Sequence, residues 1–280
     1  MVRTQMRRAA VIGHPIAHSL SPALFAEFAH ATGIELDYRA VDVAPVALRS
    51  TLSAWRADPA FVGCNVTMPH KGEIIALLER CTDAALACAA VNVVRREGSE
   101  LVGDNTDVAG IGATFEAAGF SARGRRAVLF GAGGGARAII AVLAARGATH
   151  VAIGARTLER AAALAADASS RWNATTFKAF DLAVAAPAAD LYVNATPLGQ
   201  AGQPWRPLIP ATAPAGALAF DLVYRPANTP FLTEASERGL QTAGGFTMLL
   251  EQALATFEAW FGVRPSLDAN VRKRLERLAA

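Results

Sequence analysis

Ala127-Val-Leu-Phe-Gly-Ala-Gly-Gly-Gly-Ala-Arg137 is a short apolar strand running into glycines and then into an alanine-rich helix. That succession is how an α/β sheet presents helix-terminal N–H groups to a pyrophosphate. Gly131, Ala132, Gly133, Gly134, Gly135 and Ala136 together fit the dinucleotide-binding pattern G-x-G-x-x-G/A, and a strand before and a helix after raise it above a bare glycine-rich turn. No Gly-Lys-Ser/Thr follows, so a phosphate-binding loop of the Walker type is excluded.

The next strand end reads Gly154-Ala155-Arg156-Thr157, with no carboxylate. An NAD site places Asp or Glu about 20 residues after the glycines for the ribose hydroxyl, whereas a 2′-phosphate needs a cation there. A methyltransferase would want an acid at the same place. Arg156, and Arg160 one helical turn on, can both face a phosphate, which predicts NADP over NAD. The competing reading is that both arginines are solvated helix-start residues.

Working outward, strands and helices alternate. Arg8–Gly13 reads as a strand, Pro22–Ala31 as a helix ended by Gly33, and Leu36–Val43 as an alternating strand. Val46–Arg56 is predicted helical, Phe61–Thr67 a strand, and Lys71–Glu79 a helix, with a strand pair at Ala90–Arg95 and Glu100–Asp104 around Gly98. After Asp107 comes a bridging helix over Val108–Ala118, then the glycine-rich strand and further strands at His150–Gly154, Asp190–Ala195 and Ala217–Val223. Helical or irregular crossovers between them suit a parallel sheet. Pro197–Gly216 reads as a long loop, and the chain closes with amphipathic helices over Met248–Trp260 and Asp268–Leu278.

With 280 residues, 52% hydrophobic and 18% charged, the chain is near the size at which one core divides into two. A net charge of +3, with no basic cluster interleaved with aromatics, gives nucleic-acid binding little support but suits a small anionic substrate. The basic stretch Met1–Arg8 is followed by Gly13, His14 and Pro15, too soon for a signal peptide, and no apolar run is long enough to span a membrane. Cys64, Cys81 and Cys88 are odd in number and lack C-x-x-C spacing, against a disulfide framework or a zinc site. The cytoplasm is the expected compartment, and Cys81 and Cys88 read as small apolar residues on one buried helix face.

A nicotinamide needs a partner that handles a hydroxyl proton. His14 and His18 are interrupted by Pro15, and Tyr38, Tyr192 and Tyr224 lack Tyr-x-x-x-Lys. Lys71 follows Asn65-Val-Thr-Met-Pro-His at the predicted start of a helix, where the dipole disfavours an ammonium. From this segment alone, an ordinary exposed lysine is the competing reading. Ser21-Pro22 reads as a helix start with serine as N-cap, which capping alone would explain.

Ile16-Ala-His-Ser19-Leu-Ser21-Pro, Asn65-Val-Thr67-Met-Pro-His-Lys71, Ala90-Val-Asn92, Gly103-Asp-Asn-Thr-Asp107, the glycine run, Asn194-Ala-Thr196-Pro-Leu-Gly and Gly245-Phe-Thr-Met-Leu-Leu-Glu-Gln252 occur in order over nearly the whole chain. Together they resemble the shikimate dehydrogenase family. The resemblance implies reversible, NADP-linked reduction of 3-dehydroshikimate to shikimate without a metal. It also implies an N-terminal α/β substrate domain completed by C-terminal helices, residues 1–107 with 247–280, and an inserted Rossmann NADP domain over 108–246. By the same resemblance Lys71 is the catalytic acid/base and Asp107 its partner. Ser19 and Ser21 meet the substrate carboxylate, and Asn65, Thr67, Asn92, Tyr224 and Gln252 line the substrate. Asp83, Ala155, Thr157, Thr196, Leu222, Gly245 and Met248 fall near the cofactor, although Met248 reads equally as plain core.

Three positions depart from the family pattern. Ala155 stands where asparagine is commonest before Arg-Thr, Thr247 where glycine is frequent, and Gln200 where methionine is frequent. A paralogue acting on quinate or another shikimate analogue therefore stays open, as does a catalytically silent NADPH sensor, against which Lys71 and Asp107 together speak. The expected partner is a small molecule, and the expected assembly a monomer or homodimer.

Overall fold

A computed structural model describes residues 6–200, 203 and 206–279. The first five residues of the basic N-terminal stretch and part of the loop expected over 197–216 lie outside it. Contacts divide the chain into two compact units, one built from the residues up to Asp107 together with Leu250–Leu278, the other from Val108–Leu249.

The first unit opens with β1 (Arg7–Gly13), α1 (Ser21–Thr32), β2 (Leu36–Asp42), α2 (Leu48–Ala57) and β3 (Phe61–Val66). It continues with β4 (Arg80–Cys81), α3 (Asp83–Cys88), β5 (Val93–Glu97) and β6 (Glu100–Asp104). The sheet order is β2-β1-β3-β5-β6-β4. β1 runs parallel to β2 and β3, while β5 is antiparallel to both β3 and β6, the hairpin that Gly98 turns at φ +61°. Ala10 and Ile12 of β1 share a core with Leu48 and Leu52 of α2 and Phe61 and Cys64 of β3.

Val108–Leu249 carries most of α4 (Asp107–Ala117), then β7 (Arg126–Phe130), α5 (Gly134–Ala145), β8 (His150–Ala155), α6 (Leu158–Arg171) and β9 (Thr176–Asp181). β10 (Leu191–Asn194), β11 (Leu218–Asp221), α7 (Pro230–Glu237) and β12 (Gln241–Ala243) follow. These strands form a second sheet in the order β12-β11-β10-β7-β8-β9, parallel at each pairing. The order reverses beside β7, so the glycine loop leaves the sheet at the switch point where α/β sheets bind ligands. α8 (Gly245–Phe261) begins in this unit and from Leu250 belongs to the first, which α9 (Ala269–Arg277) completes.

Four details of the sequence reading change. Lys71–Glu79 is not an α-helix: a 3-10 helix covers only Glu73–Leu77, because the Lys71 carbonyl accepts the Val91 N–H at 2.8 Å instead of a helical partner. Cys81 sits on β4 and Cys88 on α3, so they share no helix face. Strands β4, β9 and β12 were not expected; β4 and β12 span only two and three residues. Ser21 is the first residue of α1 and Leu20 its N-cap; the Ser21 N–H is met by Ser19 Oγ at 3.2 Å.

Candidate active site

The Lys71 ammonium reaches Asp107 Oδ2 at 2.6 Å, with side-chain exposures of 16% and 7%. Three loops bring this about. The turn after β3 places Lys71, and its carbonyl is pinned to Val91. The loop after β6 delivers Asp107 as the first residue of α4, with the Asp107 N–H held by Asn105 Oδ1 at 3.1 Å and the Asn105 amide held by the Ala90 carbonyl at 2.7 Å. Asn92, in the loop before β5, donates from Nδ2 to Asp107 Oδ1 at 2.8 Å. Both carboxylate oxygens are thus committed, and the lysine faces a fixed acceptor.

Behind that pair lies a buried polar chain. Asn92 Oδ1 accepts the Thr106 N–H at 2.7 Å, and Asn92 Nδ2 lies 3.2 Å from Thr106 Oγ1 and 3.5 Å from Gln252 Oε1. Thr106 Oγ1 meets Thr256 Oγ1 at 3.0 Å, and Asn65 Nδ2 donates to Thr256 Oγ1 at 3.3 Å. Gln252 and Thr256 come from α8, whose Trp260 donates to the Val94 carbonyl at 3.1 Å and stands near Phe25 of α1. Buried polar groups of this kind fix geometry only when each is satisfied, as here.

Ser19, Ser21, Asn65, Thr67, Lys71, Asn92, Asp107 and Gln252 therefore all lie in the first unit. Thr67 is placed by its N–H on the Ile12 carbonyl at 2.9 Å, and Gly13 makes room, since a methyl there would come within 2.6 Å of Thr67 Cγ2. Tyr224 lies in the second unit, and Asp83, expected near the cofactor, lies in the first at the start of α3.

In the second unit, Gly131 adopts φ +116°, and a side chain there would come within 2.6 Å of the Ala195 carbonyl. A methyl on Gly135 would meet Leu222 Cδ2 at 2.8 Å, and one on Gly245 the Leu222 carbonyl at 2.5 Å. Packing accounts for these three. It does not account for Gly133, the N-cap of α5, where a methyl would meet nothing within 4 Å. The bare backbone of Gly133, beside the partly exposed Ala132 and Gly134, leaves the helix terminus open to an anion.

Ala155 ends β8 buried, while Arg156, Thr157 and Arg160 are exposed; among the described residues neither arginine pairs with a carboxylate. Arg137 is different: it binds Asp167 at 2.7 Å. Burial alone would raise the Asp167 carboxyl, but Arg137 and Arg171 hold it below its ordinary value. Thr196 is fixed by its own loop, its hydroxyl donating to Asn194 Oδ1 at 2.6 Å and accepting the Leu198 N–H at 3.1 Å. Met248 is buried in the first turns of α8. The glycine loop and the unpaired arginines fit a dinucleotide bearing a 2′-phosphate. Among the described residues no three His, Cys, Asp or Glu side chains are grouped to hold a metal ion, and no helix is long and apolar enough to cross a membrane.

The sequence model of the shikimate dehydrogenase substrate-binding domain matches residues 11–94, and that of shikimate/quinate 5-dehydrogenase matches residues 115–200. A shikimate dehydrogenase (NADP(+)) of Methylobacterium radiotolerans is 41% identical over 274 residues, covering 96% of each chain. The chain belongs to the shikimate dehydrogenase family. Among solved structures of that fold, the Thermus thermophilus shikimate 5-dehydrogenase in complex with NADP(H) and shikimate has a TM-score of 0.84 at 36% identity, over 98% of this chain and 100% of that one. A ligand-free 5-ketofructose reductase of Gluconobacter has a TM-score of 0.87 at 28% identity, over 98% of this chain and 99% of that one.

Sequence reasoning missed several organising residues. Thr106 and Thr256 look like ordinary helix-boundary and helix-interior threonines, yet both are buried in the polar chain. Tyr38 lacks Tyr-x-x-x-Lys and carries no other local signal, yet its hydroxyl donates to Asn65 Oδ1 at 2.8 Å. Asp221 and Thr229, bonded at 2.6 Å, tie the end of β11 to the start of α7.

Proposed function

We propose that this protein is an NADP-dependent shikimate dehydrogenase, interconverting 3-dehydroshikimate and shikimate. The observation that carries the reading is the enclosed Lys71–Asp107 pair, one carboxylate oxygen on the ammonium and the other on Asn92. A lysine held this way can exchange a proton at Nζ with a substrate oxygen, while Asp107 keeps it aimed. Asn65, Thr67, Asn92 and Gln252 are the groups assigned to ring hydroxyls, as is Tyr224. Ser19 and Ser21, at the start of α1, meet the substrate carboxylate, where hydroxyls and helix-terminal N–H groups are available to an anion.

NADPH supplies the hydride when bound. Gly131 to Gly135 and the start of α5 would hold its pyrophosphate, Arg156, Thr157 and Arg160 its 2′-phosphate, and Ala155, Thr196, Leu222, Gly245 and Met248 its neighbouring surfaces. Asp83, exposed at the start of α3, is also assigned to the cofactor. The three cysteines are unpaired, which supports a reducing, cytoplasmic setting. The assembly assigned is a monomer or homodimer.

Initial rates with shikimate and quinate, each with NADP and with NAD, test the reading. The expected result is highest efficiency for shikimate with NADP; higher efficiency with NAD would overturn the roles of Arg156 and Arg160, and preference for quinate would place the protein among the paralogues. In the same assay Lys71→Ala is expected to lose about 100- to 10,000-fold in kcat while still binding both ligands by calorimetry. Turnover near that of the unaltered protein sinks the acid/base role.

A further inference from the structure

Tyr38 stands on β2 opposite Ala9 of β1, and Asn65 on β3 opposite Val11, on the side of the sheet that α1 and α8 cover. The Tyr38 ring stacks on Phe25 with centroids 4.1 Å apart and planes 9° from parallel. Its hydroxyl donates to Asn65 Oδ1 at 2.8 Å. Burial of the phenol pushes it well above its ordinary value, against a smaller opposing contact from the Ser21 hydroxyl, so it remains a donor throughout the neutral range. An amide oxygen can only accept, which fixes the direction of this bond.

The far side of Asn65 is fixed as well. Asn65 Nδ2 donates to Thr256 Oγ1 at 3.3 Å, and Thr256 gives its own proton to the Gln252 carbonyl at 2.9 Å. Reversing the amide would turn its NH2 toward a Tyr38 oxygen that already meets the Ser21 hydroxyl, and its oxygen toward a threonine oxygen whose proton is committed. Only one orientation satisfies both neighbours, and in it Asn65 keeps a second N–H for a ligand.

We propose that Tyr38 is a positioning residue for substrate binding, holding the Asn65 amide in the orientation that presents an N–H to a substrate oxygen. The inference rests on the reading that Asn65 faces the substrate. A hydrogen bond to a hydroxyl away from the reacting carbon is made equally before and during reaction, so its loss appears in KM and leaves kcat largely alone. Ser21 touches the same phenol, so Tyr38 also joins the residues assigned to the carboxylate with those assigned to the ring.

Tyr38→Phe removes the hydroxyl and keeps the stacked ring. Steady-state kinetics with shikimate and NADP are expected to show KM for shikimate raised about fivefold, as the loss of one neutral hydrogen bond implies, with kcat lowered less than twofold and KM for NADP unchanged. In an Asn65→Ala background the same change is expected to add less than a factor of two. Thr256→Val, which removes the bond on the other side of the amide, should give the same KM signature and serves if Tyr38→Phe proves unstable. Unchanged KM for shikimate in a folded variant, or an undiminished effect in the Asn65→Ala background, overturns the proposal. Absence of shikimate turnover by the unaltered protein would instead overturn the functional reading on which it rests.

Discussion

Asp221, at the end of β11, is fully buried and meets no cation among the described residues. Its carboxylate accepts from Thr229 Oγ1 at 2.6 Å, the Val223 N–H at 2.9 Å and Asn194 Nδ2 at 3.0 Å. Burial pushes it up to about 6, the three donors offsetting only part of that rise. The folded state therefore holds the proton over a range in which the unfolded chain, titrating near 3.8, has lost it. The contribution of Asp221 to stability is greatest below about pH 4 and declines as pH rises through 6, by on the order of 3 kcal/mol in all. Asp221→Asn keeps the shape and removes the titration. Urea unfolding of both proteins at pH 4.5 and pH 7.5 is expected to show the variant gaining on the unaltered protein as pH rises; a difference independent of pH would mean that Asp221 titrates alike in both states. The carboxylate is kept at this cost because its acceptor oxygens bind the loops after β10 and β11 together, and those loops carry Thr196, Leu222 and Tyr224.

At the scale of elements, the decisive contact is α8 on β3. Gly63 lies beneath Trp260, and a methyl there would overlap both the indole nitrogen and the Val94 carbonyl it binds. Gly63→Ala is expected to destabilise the first unit by about 1–3 kcal/mol through overpacking. Because α8 also carries Gln252 and Thr256, KM for shikimate should rise with it; denaturation and kinetics matching the unaltered protein would mean that the helix shifts without cost. The contact also shows what the sequence could and could not yield. Alternating runs, Gly33 and Gly98 as turn residues and the glycine loop after β7 were legible because each depends on neighbours a few positions away. Lys71–Glu79 is not an α-helix because Val91, about twenty residues on in the loop before β5, takes the Lys71 carbonyl, and the roles of Tyr38, Thr106 and Thr256 leave no local signal because their partners are brought together only by folding. Lys71 and Asp107 themselves were picked out by motif, whereas the carboxylate's attachment to Asn92 and Asn105 needed the structure.

For the molecule as a whole, the consequence is that the first unit is discontinuous in sequence and the second essentially continuous. All strands of the second sheet lie between Arg126 and Ala243, so that unit closes its hydrogen-bond ladders without help from the chain ends. The first unit cannot do the same. Phe257 packs on Phe25 and Phe28, Thr256 and Gln252 satisfy Asn65, Thr106 and Asn92, and Arg274 reaches Glu27 at 2.6 Å. Ending the chain after Leu249 would strip this face, exposing aromatic surface whose burial is worth roughly 1.5–3 kcal/mol per side chain and removing the Thr256 partner of the Asn65 NH2, at about 1–3 kcal/mol. Those losses are comparable to the whole stability of a domain, about 5–15 kcal/mol. The truncated protein is therefore expected to lose the first unit while retaining the second, which limited proteolysis would report as a resistant fragment beginning near residue 108. Equal protection of both units would show that the first can fold without its C-terminal helices, and would remove the physical reason for a first unit built from two separate stretches of chain.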